Sequence, residues 1–194
     1  MLKTKIKKVL LNKYFISSVL AVLIASSYYC YKHVTSEEYK LFKQVKTVSK
    51  SYMKFHFDVV GHLPYYDQYY MDLSYLKENK NLTFEKWDGP YTKLLVNDKS
   101  LVLPGYSNIN ILYLKSDINL GDKVPLSEDM LCDKTDDCKL WFELTAIDKN
   151  LSALVDEYID DKPSANQGKI RYLEDSLYVL FIKNYQTGVK AKND

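Results

Sequence analysis

The sequence predicts an α+β fold in which a long N-terminal helix packs against a small antiparallel β-sheet. Three features lead to this prediction. No proline or glycine interrupts residues 1–60. Apolar residues recur along the second half of this stretch with the three- and four-residue steps of one helix face. Short β-branched and aromatic runs, separated by turn residues, then occupy much of residues 100–185.

Composition indicates a folded protein without a strong overall charge. Hydrophobic residues make up 46% of the chain and charged residues 27%, which is ordinary for a globular domain. The formal net charge of +2 gives no global attraction for nucleic acid. Tyrosine is abundant, with 18 Tyr against 7 Phe. A compositional habit of a proteome rich in Lys, Asn and Tyr is the favoured explanation, and a surface that combines apolar rings with polar tips is the alternative.

The N-terminal residues have the pattern of a membrane anchor. Residues 1–13 carry only basic charges, and an uncharged apolar run follows from Tyr14 to Tyr31. Such a run is at the short end of what crosses a bilayer, and the lysines before it favour a cytoplasmic N-terminus. We therefore expect 1–13 to be cytoplasmic and 14–33 to span a membrane. The residues expected to face lipid and neighbouring helices are Phe15, Ser18, Leu20, Val22 and Leu23.

A cleaved signal peptide is the alternative interpretation of the same residues. The small residues Ala25, Ser26 and Ser27 follow the apolar run and offer a cleavage site. Both interpretations place the remainder of the chain outside the cytoplasm, in the periplasm or beyond the cell.

The cysteines agree with an oxidising compartment. Cys132 and Cys138 lie close together in an acidic loop with no histidine nearby, so a zinc site lacks ligands. In an exported domain this pair is expected to form a small disulfide loop, and two free thiols are the alternative. Cys30 is the odd cysteine, at the expected membrane edge. It is expected to be inert, with pairing between chains as the alternative.

The helical pattern continues beyond the apolar run with a single apolar face. The residues on this face, expected to pack against the sheet, are Leu41, Val45, Val48, Tyr52, Phe55 and Val59. Gly61 and Pro64 end the pattern, so one helix from Tyr14 to Val60 is expected. A fresh helix starting at Ser36, after a break near Thr35, is the alternative.

Lysines occupy positions mostly off this apolar face. They are Lys40, Lys43, Lys46, Lys50 and Lys54. A solvated helix face is favoured over a surface that binds anionic polymers such as DNA.

The rest of the expected domain, residues 34–185, contains strand-like runs around one more helix. The runs are Ser100–Leu103, Ile109–Lys115, Lys139–Ala146, Lys169–Leu173 and Ser176–Tyr185. The helix is expected over Lys149–Ile159, with Asp148 as its N-cap. Residues 186–194 are expected to be a polar tail.

Three local segments, in this order, resemble the type IV pilin and type II secretion pseudopilin family, and its minor members in particular. Val45–Pro64 (VKTVSKSYMKFHFDVVGHLP) resembles the end of the family's long helix and the Gly-x-x-Pro that follows it. Lys86–Tyr91 (KWDGPY) resembles the family's Trp-x-Gly-Pro-Tyr turn, and Asp156–Tyr172 (DEYIDDKPSANQGKIRY) resembles a stretch of minor pilins. The close cysteine pair also fits minor pilins.

This resemblance implies a pilin-like fold and a structural role as a membrane-anchored subunit of a type IV pilus or type II secretion-like assembly. It implies as partners other pilin-like subunits, reached through the N-terminal helix, and inner-membrane lipid. Two positions depart from the family pattern, because Lys13 stands where the processing-site glycine is expected and Ser18 stands where the helix glutamate is expected. An exported binding or adhesion domain unrelated to pili is the alternative function.

Catalytic motifs are absent from the sequence. It contains no nucleophile motif, glycine-rich phosphate loop, HExxH or redox CxxC, so we expect no enzyme and no small-molecule substrate. We also expect no cofactor. Calcium is the one weak exception, because the resemblance implies a sheet-side loop that sometimes binds it and Asp160 and Asp161 offer oxygen ligands. Solvated loop acids are the favoured alternative for these two residues.

Overall fold

The computed structural model describes residues 19, 22–29, 31–59, 63–64, 70–80, 83–116, 120, 127–132, 138–161, 164 and 167–185. The chain divides into two units, Met1–Lys40 and Leu41–Asp194. Several of the predicted anchor residues, and Cys30, lie outside the described residues.

Ser36 interrupts the helical structure of the first unit. Residues 22–29 and 31–35 are helical, Ser36 is a bend, and helix α1 runs over Glu37–Val59. The Ser36 hydroxyl donates to the His33 carbonyl at 2.8 Å, and the Ser36 carbonyl accepts from Lys40 N at 3.2 Å. Hydroxyl groups that bond back to the backbone compete with the helix ladder. The prediction of one uninterrupted helix is therefore wrong at Ser36, and the alternative of a fresh helix there is correct.

The predicted apolar face of α1 lies in the core of the second unit. Leu41, Val45, Val48, Tyr52 and Phe55 are buried, and Val59 packs against the same core cluster, which also holds sheet residues. The Tyr52 ring meets Phe181 of the sheet edge-on, with 5.7 Å between centroids. Because full burial of a large apolar side chain contributes about 1.5–3 kcal/mol, this face attaches α1 firmly to the sheet.

Six antiparallel strands form the sheet, as the α+β prediction requires. They are β1 Leu95–Asn97, β2 Ser100–Val102, β3 Asn108–Lys115, β4 Cys138–Leu144, β5 Ile170–Leu173 and β6 Ser176–Tyr185. Their order across the sheet is β1-β2-β3-β4-β6-β5. Five of them correspond to predicted runs. β1 was not predicted, because three residues are too few to show a strand period. Short 3-10 helices cover Leu73–Leu76 and Glu128–Met130.

Helix α2, Lys149–Asp160, connects β4 to β5. Asp148 is its N-cap as predicted, and its carboxylate accepts from Asn150 N at 2.8 Å and from Leu151 N at 3.3 Å. The helix ends where Asp161 adopts the left-handed conformation. The connection from β4 through α2 leads past the position of β6 to β5 at the edge of the sheet. A short hairpin then returns the chain from β5 to β6, which pairs with both β5 and β4.

The central strands are buried on both faces. One face, with Ile111 and Phe142, belongs to the large cluster that contains the α1 residues. The other face, with Leu112 and Trp141, belongs to a second cluster. Alternate residues of a strand point to opposite faces, so the nearly continuous apolar run of β3 reflects a sheet covered on both sides.

Candidate functional site

The predicted membrane and assembly residues are only partly described. Val22 and Leu23 belong to the helical residues of the first unit, and their side chains are 67% and 56% exposed. Phe15, Ser18 and Leu20 lie outside the described residues. Among the helices that the structure describes, none is both long enough and apolar enough to span a bilayer.

The predicted disulfide between Cys132 and Cys138 is confirmed, with 5.9 Å between the two Cα atoms. Cys138 is the first residue of β4 and pairs with Lys115 of β3. Cys132 N donates to the Tyr113 carbonyl of β3 at 3.1 Å. Leu131, next to Cys132, bridges Leu114 of β3, so the disulfide bond fastens the segment at Leu131 and Cys132 to the start of β4.

The turn at Trp87 to Tyr91 attaches a long loop to the end of α1. Trp87 Nε1 donates to the Tyr75 carbonyl at 2.9 Å, and the Tyr91 ring meets Phe55 edge-on at 5.6 Å. A side chain at Gly89 would collide with the Trp87 ring, so only glycine fits at this position. The Trp-x-Gly-Pro-Tyr segment, which forms part of the resemblance to pseudopilins, therefore has a packing role in this fold.

Asp160 and Asp161, the weak calcium candidates, have other roles in the structure. Asp160 Oδ2 accepts hydrogen bonds from the backbone N–H groups of Lys169 and Ile170. Asp161 is the exposed C-cap of α2. Within the described residues, no three ligating side chains come together as a metal site would need. Asp160 therefore holds the start of β5 through these hydrogen bonds. The calcium interpretation receives no support from this geometry.

Asp156, four residues before Asp160, is fully buried, and sequence reasoning did not single it out. Its Oδ2 accepts from Ser164 N. Burial raises the pKa of this carboxyl, the nearby Asp160 raises it further, and the Ser164 N–H and the Arg171 charge oppose the change. Asp156 and Asp160 together connect α2 to Ser164 and to the start of β5.

A row of polar side chains crosses the otherwise apolar second face of the sheet. Ser100 Oγ donates to Asn110 Oδ1, Asn110 Nδ2 donates to Glu143 Oε2 at 3.1 Å, and the Tyr178 hydroxyl donates to Glu143 Oε1 at 3.0 Å. All four residues are buried. The strand register places Asn110 opposite Glu143 and Glu143 opposite Tyr178, so the row follows directly from the pairing of β3, β4 and β6.

Electrostatics in this row keep Tyr178 neutral. Burial raises the pKa of its hydroxyl above the ordinary value, and the negative charge of Glu143 and the hydrogen bond to it raise it further. Both carboxylate oxygens of Glu143 thus have donors, as a buried charge requires. The row can fix the strand register and hold a charge away from solvent, and it offers no activated nucleophile. In the sequence, this row is visible only as a polar side chain in each of four mainly apolar strands, β2, β3, β4 and β6.

The structure therefore brings together the predicted helix face, the predicted disulfide and two unpredicted buried carboxylate networks in one domain. Among the described residues, neither Asp160 nor Asp161 belongs to a group of three or more side chains that could hold a metal ion. Compared with protein-family models, curated proteins and solved structures, the chain gives no significant match.

Proposed function

We propose that this chain is a pilin-like, membrane-anchored structural subunit of a type IV pilus or type II secretion-like assembly. Its N-terminal residues lie in the cytoplasm, residues 14–33 lie in the inner membrane, and the α+β domain lies outside the cytoplasm. The observation that carries the proposal is the burial of the Leu41–Phe55 face of α1 against an antiparallel sheet.

The exposed apolar residues of the first unit support an assembly role. Val22, Leu23, Ile24 and Tyr28 belong to helical residues, and each is more than half exposed. Exposing apolar surface to water costs about 25 cal/mol for each Å². Lipid and the helices of sister subunits are the surroundings that remove this cost, and packing between helices in lipid depends on close contact.

The two departures from the family pattern define the kind of subunit proposed. A carboxylate in the bilayer is expensive unless a partner charge meets it, and Ser18 cannot form such a pair. Lys13 replaces the glycine after which a prepilin peptidase cuts, so we propose that the leader is retained. A subunit of this kind starts or modulates an assembly and does not form the bulk of a filament.

Gentle extraction of membranes tests this proposal. In a mild detergent, blue-native electrophoresis should show the chain in a complex, and mass spectrometry should find other pilin-like proteins in the same band. A variant with Leu23→Asp should lose this complex, since an aspartate at the centre of a spanning helix costs about 2.5–3.5 kcal/mol. Thr35→Asp, outside the proposed span, is the matched control. A wild-type band containing only the monomer would contradict the proposal.

An exported binding domain is the second candidate function. A groove in the second unit favours it. Lys77, Glu78, Asn79, Phe84, Glu85 and Trp87 line a groove of about 720 Å³. Two of these six residues are aromatic and four are polar or charged, so the groove suits a ligand with both apolar and polar groups. This candidate expects a mature N-terminus near Tyr28 and a soluble chain, both of which the first candidate excludes.

A further inference from the structure

Four lysines form a row on α1 directly opposite its buried face. Lys43, Lys46, Lys50 and Lys54 follow at steps of three, four and four residues, so they share one side of the helix. All four are exposed, and Phe57, 70% exposed, continues this side. None of the carboxylates that the structure describes forms an ion pair with the row.

Helix α2 carries the opposite charge on its outer side. Glu157 of α2 and Asp161, the C-cap of α2, are exposed, and Leu154, three residues before Glu157, is 48% exposed. The inner side of α2, with Ser152 and Val155, is buried. The outer side of α2 is therefore an acidic strip with an exposed leucine.

The two strips are neighbours on one surface of the second unit. Phe42 of α1 meets Tyr158 of α2 edge-on, with 5.8 Å between ring centroids. Val155 of α2 belongs to the same core cluster as the buried face of α1. Both helices therefore bury their inner sides in one core and touch at Phe42 and Tyr158, so the basic strip and the acidic strip lie on adjoining helices.

The charge of the remaining chain decides which partner fits this surface. Residues 60–194 contain 22 acidic and 16 basic residues. A long polyanion on the lysine row would extend past this net negative surface and be repelled. A second copy of the chain instead offers the acidic strip of its own α2, and complementary charge favours that contact.

We propose that the outer surface of α1 and α2 binds a second copy of this chain. The lysine row of each copy faces Glu157 and Asp161 of the other across a two-fold axis between the helices, so the same patch is used twice. The contact also removes Phe57 and Leu154 from water. This inference rests on the proposed assembly role, for which it names one neighbour.

Site-specific cross-linking of the full chain tests the contact. Thr47 and Asn150 are exposed and lie beside the basic strip and the acidic strip, respectively. The first population carries Cys30→Ser with Thr47→Cys, and the second population carries Cys30→Ser with Asn150→Cys. Mixed in mild detergent with a short bismaleimide, they should form a cross-linked heterodimer. Adding Lys46→Glu and Lys50→Glu to the first population should lower its yield about tenfold, since like charges then face each other.

The compensating exchange guards against a simple folding defect. Glu157→Lys with Asp161→Lys in the second population should also lower the yield, and combining the two reversed populations should restore it. Lys86→Glu with Lys93→Glu, at exposed positions that do not belong to the row, is the control and should change little. The inference fails if no heterodimer forms, if the control lowers the yield as much, or if the exchange does not restore it.

The same samples separate this inference from the proposed function. Complexes with other pilin-like proteins that lack a charge-dependent cross-link would leave the assembly role standing and overturn the contact. A charge-dependent cross-link in a chain that associates with no pilin-like protein would support the contact and overturn the assembly role.

Discussion

The Tyr178 hydroxyl donates a 3.0 Å hydrogen bond to Oε1 of Glu143, directly opposite it across β6 and β4. Both residues are buried, and Asn110 donates to the other oxygen of the same carboxylate. A buried carboxylate costs free energy unless donors replace the water it has lost. The pairing of these strands therefore depends on a polar contact inside an apolar layer.

Removing the Tyr178 hydroxyl should destabilise the domain. Tyr178→Phe leaves Glu143 Oε1 without this donor, and the free energy of unfolding in urea should fall by about 1–3 kcal/mol. Tyr172→Phe on neighbouring β5, where the ring is only partly buried, should change it by less than about 0.5 kcal/mol. Equal losses for the two variants would show that the hydrogen bond contributes little.

Alkaline pH should weaken the fold through the same residue. Burial raises the pKa of Tyr178 above its ordinary value of 10.0, so the folded state keeps the proton where the unfolded state loses it. The stabilisation is complete below about pH 10 and is lost progressively at higher pH. Urea unfolding from pH 9 to 11 should therefore show a fall in stability that is smaller in Tyr178→Phe. An identical fall in both proteins would contradict this assignment.

Gly168 should be irreplaceable because of its position against Asp160. Its φ is +83°, and a Cβ there would collide with the Asp160 carboxylate that holds β5. An alanine in the left-handed conformation costs about 1–2 kcal/mol. Gly168→Ala should lower the free energy of unfolding by more than this amount, because the collision adds to it. Gly105 is the matched control, since its φ is +80° and nothing lies within 4 Å of its Cβ position. Equal costs at the two positions would rule out the steric contribution.

The two phenylalanines near the end of α1 should differ sharply. Phe55 is fully buried against Phe84 and Tyr91, and Phe57, two residues on, is 70% exposed. Phe55→Ala should cost about 3–5 kcal/mol of unfolding free energy, and Phe57→Ala less than about 0.5 kcal/mol. Thermal or urea unfolding compares them, and similar costs would mean that this face of α1 does not form the core.

Local sequence patterns were sufficient to predict several elements of the fold. The stripe that includes Val48 and Phe55, the strand Ser176–Tyr185 and the N-cap Asp148 agree with the structure because each depends on local spacing or local hydrogen bonding. The sequence did not decide between one continuous helix and a break near Ser36, because helical propensity and hydroxyl back-bonding compete there.

The long-range polar contacts could not be predicted in the same way. Asn110, Glu143 and Tyr178 come together only through strand register, which one sequence does not specify. Asp160 was expected to be a solvated loop acid and Asp156 was not singled out, because the backbone N–H groups of Ser164 and Ile170 meet these carboxylates only in the folded chain. The cysteine pair was the exception, because a short spacing in an exported domain predicts a local disulfide.

The N-terminus of the chain purified from washed membranes tests the central claim most directly. Intact-mass measurement after detergent extraction should show that residues 14–31 are retained, with Met1 as the first residue, because Lys13 replaces the processing glycine. A mature chain that begins near Tyr28 and is released without detergent would contradict the membrane-anchored account.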